Sequence, residues 1–284
     1  MVEKVRLTVL VEDSQSTTKQ GLIAKHGLSF LIEGETNGEK FSLLMDTGPS
    51  SDVVLHNADA MGINLAKIDA IFLSHGHYDH TGGLIGILKS INRATPVIAH
   101  PQIFDAKLKL KPAVKFIGAS FKPTSIEASG GVLLLARSSV TIANGIITTG
   151  EIERLTTFEK VNDFWTVNEE RFVEDTMPDD QALIVEIDRK GLVIVSGCAH
   201  SGIINTIRQA QRVTDVGKIY AVLGGFHLRE ADDRIIQSTV EELVEIDPEI
   251  VAPCHCTGPK AVHRLARAFG NCCRPLRTGD VMIL

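Results

Sequence analysis

Residues Ser74–His80 read Ser-His-Gly-His-Tyr-Asp-His, directly after the apolar run Ala70–Leu73 and directly before Thr81-Gly82-Gly83. No other feature of the chain constrains it as much. His75, His77, Asp79 and His80 are potential ligands crowded onto one turn, and such groups are not buried together without a partner. Imidazole nitrogen and carboxylate oxygen are donors that zinc accepts, with manganese or iron as alternatives. His75 and His77 alternate, so both can point to one side of an extended turn. Asp79 and His80 can then address a second ion nearby.

The surroundings of this turn read as α/β. The runs 5–12, 28–34 and 41–48 are short, rich in Val, Leu, Ile and Phe, and separated by Gly, Asn or charged residues. That is strand character, and the turn-rich stretch 33–40 makes the last two a hairpin. Val53, Val54, Ala58 and Met61 have helical spacing. The run 70–75 reads as a strand buried on both faces, 81–92 as a helix and 95–101 as a strand.

A similar order returns near the end. Residues 181–197 read as a hairpin, 201–213 as a helix, 218–225 as a strand, 232–246 as a helix and 249–255 as a strand. The repeat predicts one domain over 1–284. It has two similar halves, about 1–105 and 180–284, whose sheets pack face to face with helices outside. A less regular insertion lies between them. Within it, the basic stretch Lys107–Lys122 reads as a solvated loop. The stretch Glu151–Pro178 reads either as a flap over a site or as a long surface connection.

The unusual polar residues fall at matching places in the two halves. Asp46 and Cys198 follow the hairpins, the His75 turn and His227 follow the middle strands, and His100 and His255 follow the last strands. All sit at the C-terminal ends of strands, where open α/β sheets place ligands.

Composition narrows the functions. A net charge of −6 argues against nucleic acid or anionic membranes as partners and leaves a small-molecule substrate. No run of about 20 apolar residues exists, so no membrane span is expected. Charges at the start break the apolar stretch that a signal peptide needs. Five scattered cysteines suit a reducing compartment, and a cytoplasmic protein is expected.

The motif HGHYDH, with LLMDTG upstream and PCH on the last strand, resembles the HxHxDH signature of the metallo-β-lactamase superfamily. That resemblance implies an αββα sandwich of two mixed sheets with helices on the outer faces. The stretches KHGLSFLIE, NADAMGI, SGCAHSGI, GGFHL and APCHCTG resemble a narrower branch, the metal-dependent hydrolases of β-lactamase superfamily II. This branch includes proteins labelled 7,8-dihydropterin-6-yl-methyl-4-(β-ribofuranosyl)aminobenzene 5′-phosphate synthase.

Carried over residue by residue, the resemblance implies His75 and His77 for a first metal site, and Asp79, His80 and His255 for a second. The superfamily usually has a histidine between the halves, and none stands between Pro101 and Cys198. His200 is its substitute here. Cys198 occupies the slot of a bridging aspartate. It either binds metal as thiolate or turns into the core as a neutral thiol, and the preceding apolar run GLVIVSG favours the second.

Around these ligands, Asp46 is expected to hydrogen-bond the metal turn from behind. His227 is expected at the site as ligand, proton donor or substrate contact. His26 is a rim residue able to touch substrate. His100 reads as structural, His56 and His263 as surface residues. Cys254 and Cys256 flank His255 in an extended strand and so read as core residues pointing away from it. The expected enzyme is a metal-dependent hydrolase, with two zinc ions, acting on a small phosphoester or related ester. A pterin-condensing synthase is the alternative, and a non-hydrolytic redox or sensory protein a third reading.

Overall fold

The computed structural model describes residues 1–160 and 163–284. In chain order, the first part contains β1 (Lys4–Val11), β2 (Ser29–Thr36), β3 (Glu39–Met45), α1 (Ser51–Ala60), β4 (Ala70–Phe72), α2 (Tyr78–Thr81), α3 (Leu84–Ile91) and β5 (Thr95–Ala99). The middle contains β6 (Leu108–Lys109), β7 (Lys115–Phe116), α4 (Pro123–Ala128), β8 (Gly131–Leu135), β9 (Thr141–Ala143), β10 (Ile146–Thr148), β11 (Trp165–Asn168) and β12 (Arg171–Glu174). The last part contains β13 (Ala182–Ile187), β14 (Gly191–Ser196), α5 (Ile203–Thr214), β15 (Ile219–Gly225), α6 (Asp233–Ile246), β16 (Ile250–Cys254), α7 (Pro259–Phe269) and β17 (Val281–Ile283).

Two mixed sheets carry the architecture, ordered β17-β1-β2-β3-β4-β5-β8 and β16-β15-β14-β13-β10-β9. Each holds an antiparallel hairpin followed by parallel strands, β2–β3 with β4 and β5, and β13–β14 with β15 and β16. Side-chain alternation assembles the layers. Phe72 points into the cluster between the sheets and Ile71 into the cluster under α1 and α3. On β14, Val193 and Val195 face the first sheet, whereas Leu192 and Ile194 face α5 and α6. The helices therefore cover the outer faces, and the order of layers is αββα.

The segment between the halves is more ordered than expected. It adds β8 to the first sheet and β9 and β10 to the second. Strands β12-β11-β6-β7 form a third, small sheet. The basic stretch is not uniformly solvated either. Lys107 is 1% exposed, with Nζ 2.6 Å from Asp179 Oδ1 and 3.0 Å from Asp175 Oδ2.

The expected helix over 81–92 is broken. Gly82 and Gly83 separate α2 from α3, and a Cβ on them would run into the carbonyl oxygens of Pro49 and Thr47. The glycines thus let the ligand-rich turn press against the loop after β3. Among the described residues no helix is long and apolar enough to cross a membrane.

Candidate metal centre

The site lies at the C-terminal ends of the strands, where the loops after β1, β3, β4, β14, β15 and β16 converge. Four of these loops turn sharply through non-glycine residues with left-handed backbones: Asp46 (φ 59°), Ala199 (φ 54°), His227 (φ 49°) and His255 (φ 51°). Such conformations cost of order 1–3 kcal/mol each, and they gather at functional sites.

One group comprises His75, His77 and His200, all buried. His75 Nε2 is 3.0 Å from His77 Nδ1 and 3.3 Å from His200 Nε2. A second group comprises Asp79, His80, His255 and Cys198. Asp79 Oδ2 is 3.4 Å from His255 Nε2 and 3.8 Å from His80 Nε2. His80 Nε2 in turn is 3.2 Å from both His255 Nε2 and Cys198 Sγ.

Hydrogen bonds behind the rings decide which nitrogens face inward. Asp46 Oδ2 accepts from Ser74 Oγ at 2.7 Å and from His80 Nδ1 at 2.7 Å, while its Oδ1 accepts from the Ser74 amide. The Ser74 hydroxyl proton is thereby used, so its oxygen accepts from His75 Nδ1 at 2.9 Å. Asp13 Oδ1 accepts from His255 Nδ1 at 2.7 Å. His75, His80 and His255 each keep a proton on Nδ1 and present Nε2 to the centre.

The donor set fits metal ions. The Nε2 atoms of His80 and His255 are opposed across 3.2 Å, with the Asp79 carboxylate beside both. Burial, reinforced by the neighbouring imidazoles, holds His75 and His200 well below the ordinary histidine range. Burial does the same to His77, although Asp79 opposes it. These rings are therefore neutral, with lone pairs available. His77 Nε2 and His200 Nδ1 are buried without a hydrogen-bond partner among the described residues. Crowded, neutral, inward-facing nitrogens are what a metal ion satisfies. His75, His77 and His200 form one grouping able to hold an ion, and His75, His80 and Cys198 form another.

Residues 23–142 match the sequence profile of the Metallo-beta-lactamase superfamily. A relative from Methanocaldococcus jannaschii, 7,8-dihydropterin-6-methyl-4-(beta-D-ribofuranosyl)-aminobenzene-5'-phosphate synthase, is 37% identical over 99% of this chain and 97% of its own. The chain belongs to the metallo-β-lactamase superfamily. A second relative from the same organism, the uncharacterized protein MJ0448, is 31% identical over 92% of this chain and 94% of its own. Among solved structures, Tm1679, described as a metal-dependent hydrolase of the beta-lactamase superfamily, is 29% identical. It covers 98% of both chains with a TM-score of 0.82.

The structure brings His75, His77, Asp79, His80, His200, His255 and Cys198 together, with Asp46 behind them and His227 and His26 beside them. His227 packs beside His200, with ring centroids 4.2 Å apart and the planes tilted by 50°. His26 sits on the rim, 3.4 Å from Asp79 Oδ2 and 3.1 Å from Asp13 Oδ2. His100 stands apart, bonded to Glu151 and to the Gln102 amide.

Two cysteines differ from expectation. Cys198 does not turn into the core, since its sulfur lies 3.2 Å from His80 Nε2. Cys256 does not point away from the site either. The strand ends at Cys254, His255 adopts a left-handed backbone, and the following short turn aims Cys256 at the cavity floor.

Several site residues carried no local sequence signal. Glu12 Oε1 accepts from the His255 amide at 2.7 Å, and Arg229 binds Asp13 and the His255 carbonyl, each at 2.7 Å. Asp179 accepts from the Gly76 amide at 2.8 Å, inside the metal turn. Phe164 packs against His77 and His200, with centroids 5.1 and 4.9 Å away. A cavity of about 290 Å³ opens over the centre, lined by His26, Tyr78, Lys109, Lys115, Phe164 and Arg229 around the ligand residues.

Proposed function

We propose that this chain is a metal-dependent hydrolase acting on a small phosphoester through a two-ion centre. His75, His77 and His200 would hold one ion. Asp79, His80, His255 and Cys198 would hold the other, with zinc preferred for its nitrogen and sulfur donors and manganese or iron as alternatives. When bound, the ions supply Lewis acidity, which acidifies water and draws charge from a phosphoryl oxygen.

The chain's own residues prepare that chemistry. Asp46, Ser74 and Asp13 hold the Nδ1 atoms of His80, His75 and His255, so that their Nε2 atoms face the centre. Phe164 covers His77 and His200 and keeps bulk water off that side. His227, beside His200 and lining the cavity, is placed to give a proton to the leaving oxygen. His26, on the rim by Asp79, is placed to contact substrate.

The observation that carries this reading is the convergence of neutral, inward-facing imidazole nitrogens on the floor of an open cavity. A second reading is favoured by the whole-length similarity to the M. jannaschii synthase. In it, an arylamine rather than water displaces the pyrophosphate of an activated dihydropterin. One experiment separates the two. Metal-loaded protein is given a panel of phosphoesters, and a dihydropterin pyrophosphate with and without ribofuranosyl-aminobenzene phosphate. Chelator-sensitive release without the amine supports the hydrolase. Pyrophosphate release that requires the amine supports the synthase. No metal-dependent release from any substrate overturns both.

A further inference from the structure

The small sheet places two cations where they cost stability and, among the described residues, have no carboxylate partner. Lys109 and Lys115 are directly opposed residues of the β6–β7 pair. Like charges in that position repel and weaken the pairing. Among the described residues, lysine ion pairs involve Lys107, Lys218 and Lys260, and neither Lys109 nor Lys115 has one.

Each ammonium instead lies near an aromatic ring. Lys109 Nζ is 5.3 Å from the Phe164 centroid, and Lys115 Nζ is 5.8 Å from the Tyr78 centroid. Both lysines and both rings line the cavity over the metal centre. Arg229, another cation of that cavity, is already engaged by Asp13 and the His255 carbonyl, and Glu230 is the carboxylate beside it.

The segment that carries the lysines is fixed rather than loose. Lys107 is buried between Asp175 and Asp179. The Tyr78 amide donates to the Ile117 carbonyl at 2.9 Å, and His77 forms a β-bridge with Gly118. The lysine pair is thus tied to the same turn that carries the metal-binding residues.

We propose that Lys109 and Lys115 form an anion clamp for a phosphate or pyrophosphate group of the substrate. A group with two negative charges converts the repulsion across β6–β7 into charge-assisted hydrogen bonds to both ammoniums. The substrate is then one that presents such a group at the cavity mouth while its reacting bond lies over the metal centre. This placement rests on the metal centre being the reacting site.

The test is calorimetric titration of inorganic pyrophosphate into chelator-stripped protein, so that no ion contributes to binding. Lys109→Ala and Lys115→Ala should each weaken binding about tenfold. Lys109→Arg/Lys115→Arg should stay within about threefold of wild type, because the charges remain. Binding to wild type should weaken with added salt. Both lysines are exposed, and removing one relieves repulsion, so the thermal midpoint of each alanine variant should not fall. Equal pyrophosphate affinity in the double alanine variant and wild type overturns the clamp, as does absence of binding to stripped wild type. Lysine-dependent pyrophosphate binding without any metal-dependent turnover would sink the reading of the metal centre and leave the clamp. Metal-dependent turnover with lysine-independent binding would sink the clamp alone.

Discussion

The Oδ2 atom of Asp46 lies 2.7 Å from Nδ1 of His80, with both side chains fully buried. Burial works against a charge on His80, but Asp46 and then Asp79 outweigh it and raise the ring above its ordinary range. The carboxylate therefore fixes the ring and keeps Nε2 toward Asp79 and Cys198. Asp46→Asn removes the charge while keeping the shape. Metal affinity should fall roughly 10- to 100-fold, the usual cost of losing such a partner. Competition with a chromophoric chelator measures this, and unchanged affinity would contradict the role given to Asp46.

Cys198 has its sulfur 3.2 Å from His80 Nε2 and in one grouping with His255 and Cys256. Burial pushes its thiol up in the absence of an ion, but a coordinated thiol is deprotonated outright. Cys198→Ala should release the ion at Asp79, His80 and His255 and spare the one at His75, His77 and His200. Elemental analysis should then give about one ion per chain, against about two in wild type. Two retained ions would show that the sulfur is not a ligand.

His227 tests the division between ligand and proton donor. His227→Ala should lower kcat by about 10²-fold or more, as loss of a general acid does, with metal content unchanged. Loss of an ion along with the rate would make His227 a ligand instead.

Lys107 sits between Asp175 and Asp179, and its loss leaves two buried carboxylates without a cation. Lys107→Met should cost roughly 3–5 kcal/mol at neutral pH. The sign of the pH dependence follows from Asp179, which burial holds above the ordinary carboxylate range even though Lys107 opposes it. A raised carboxylate binds its proton better folded than unfolded. Its contribution to stability therefore falls as pH rises from about 4 through the folded value. Without Lys107 that value rises further, so urea midpoints should show a larger deficit at pH 8 than at pH 5. An equal deficit at both would contradict the account.

Much of this centre was legible because it is local. The turn 74–80 carries four candidate ligands in one stretch, and the apolar run before it announces a strand such as β4, buried on both faces. What escaped the sequence is non-local or conformational. Glu12 and Asp13 follow the first strand and meet His255 across 243 and 242 residues, which no local pattern reports. Cys256 reaches the cavity only because His255 turns left-handed, which strand alternation does not anticipate. Lys107 resembles its exposed neighbours in sequence and differs only in the two aspartates that fold onto it. Strands of two residues, β6 and β7, are too short to show a period, so the small sheet read as irregular chain.

Anomalous diffraction at the zinc edge tests most directly whether these residues build a two-ion centre. Crystals of protein reconstituted with zinc should show two anomalous peaks. One should lie among His75, His77 and His200, and the other among Asp79, His80, His255 and Cys198. Peaks absent from both positions, or confined to surface residues, would contradict it.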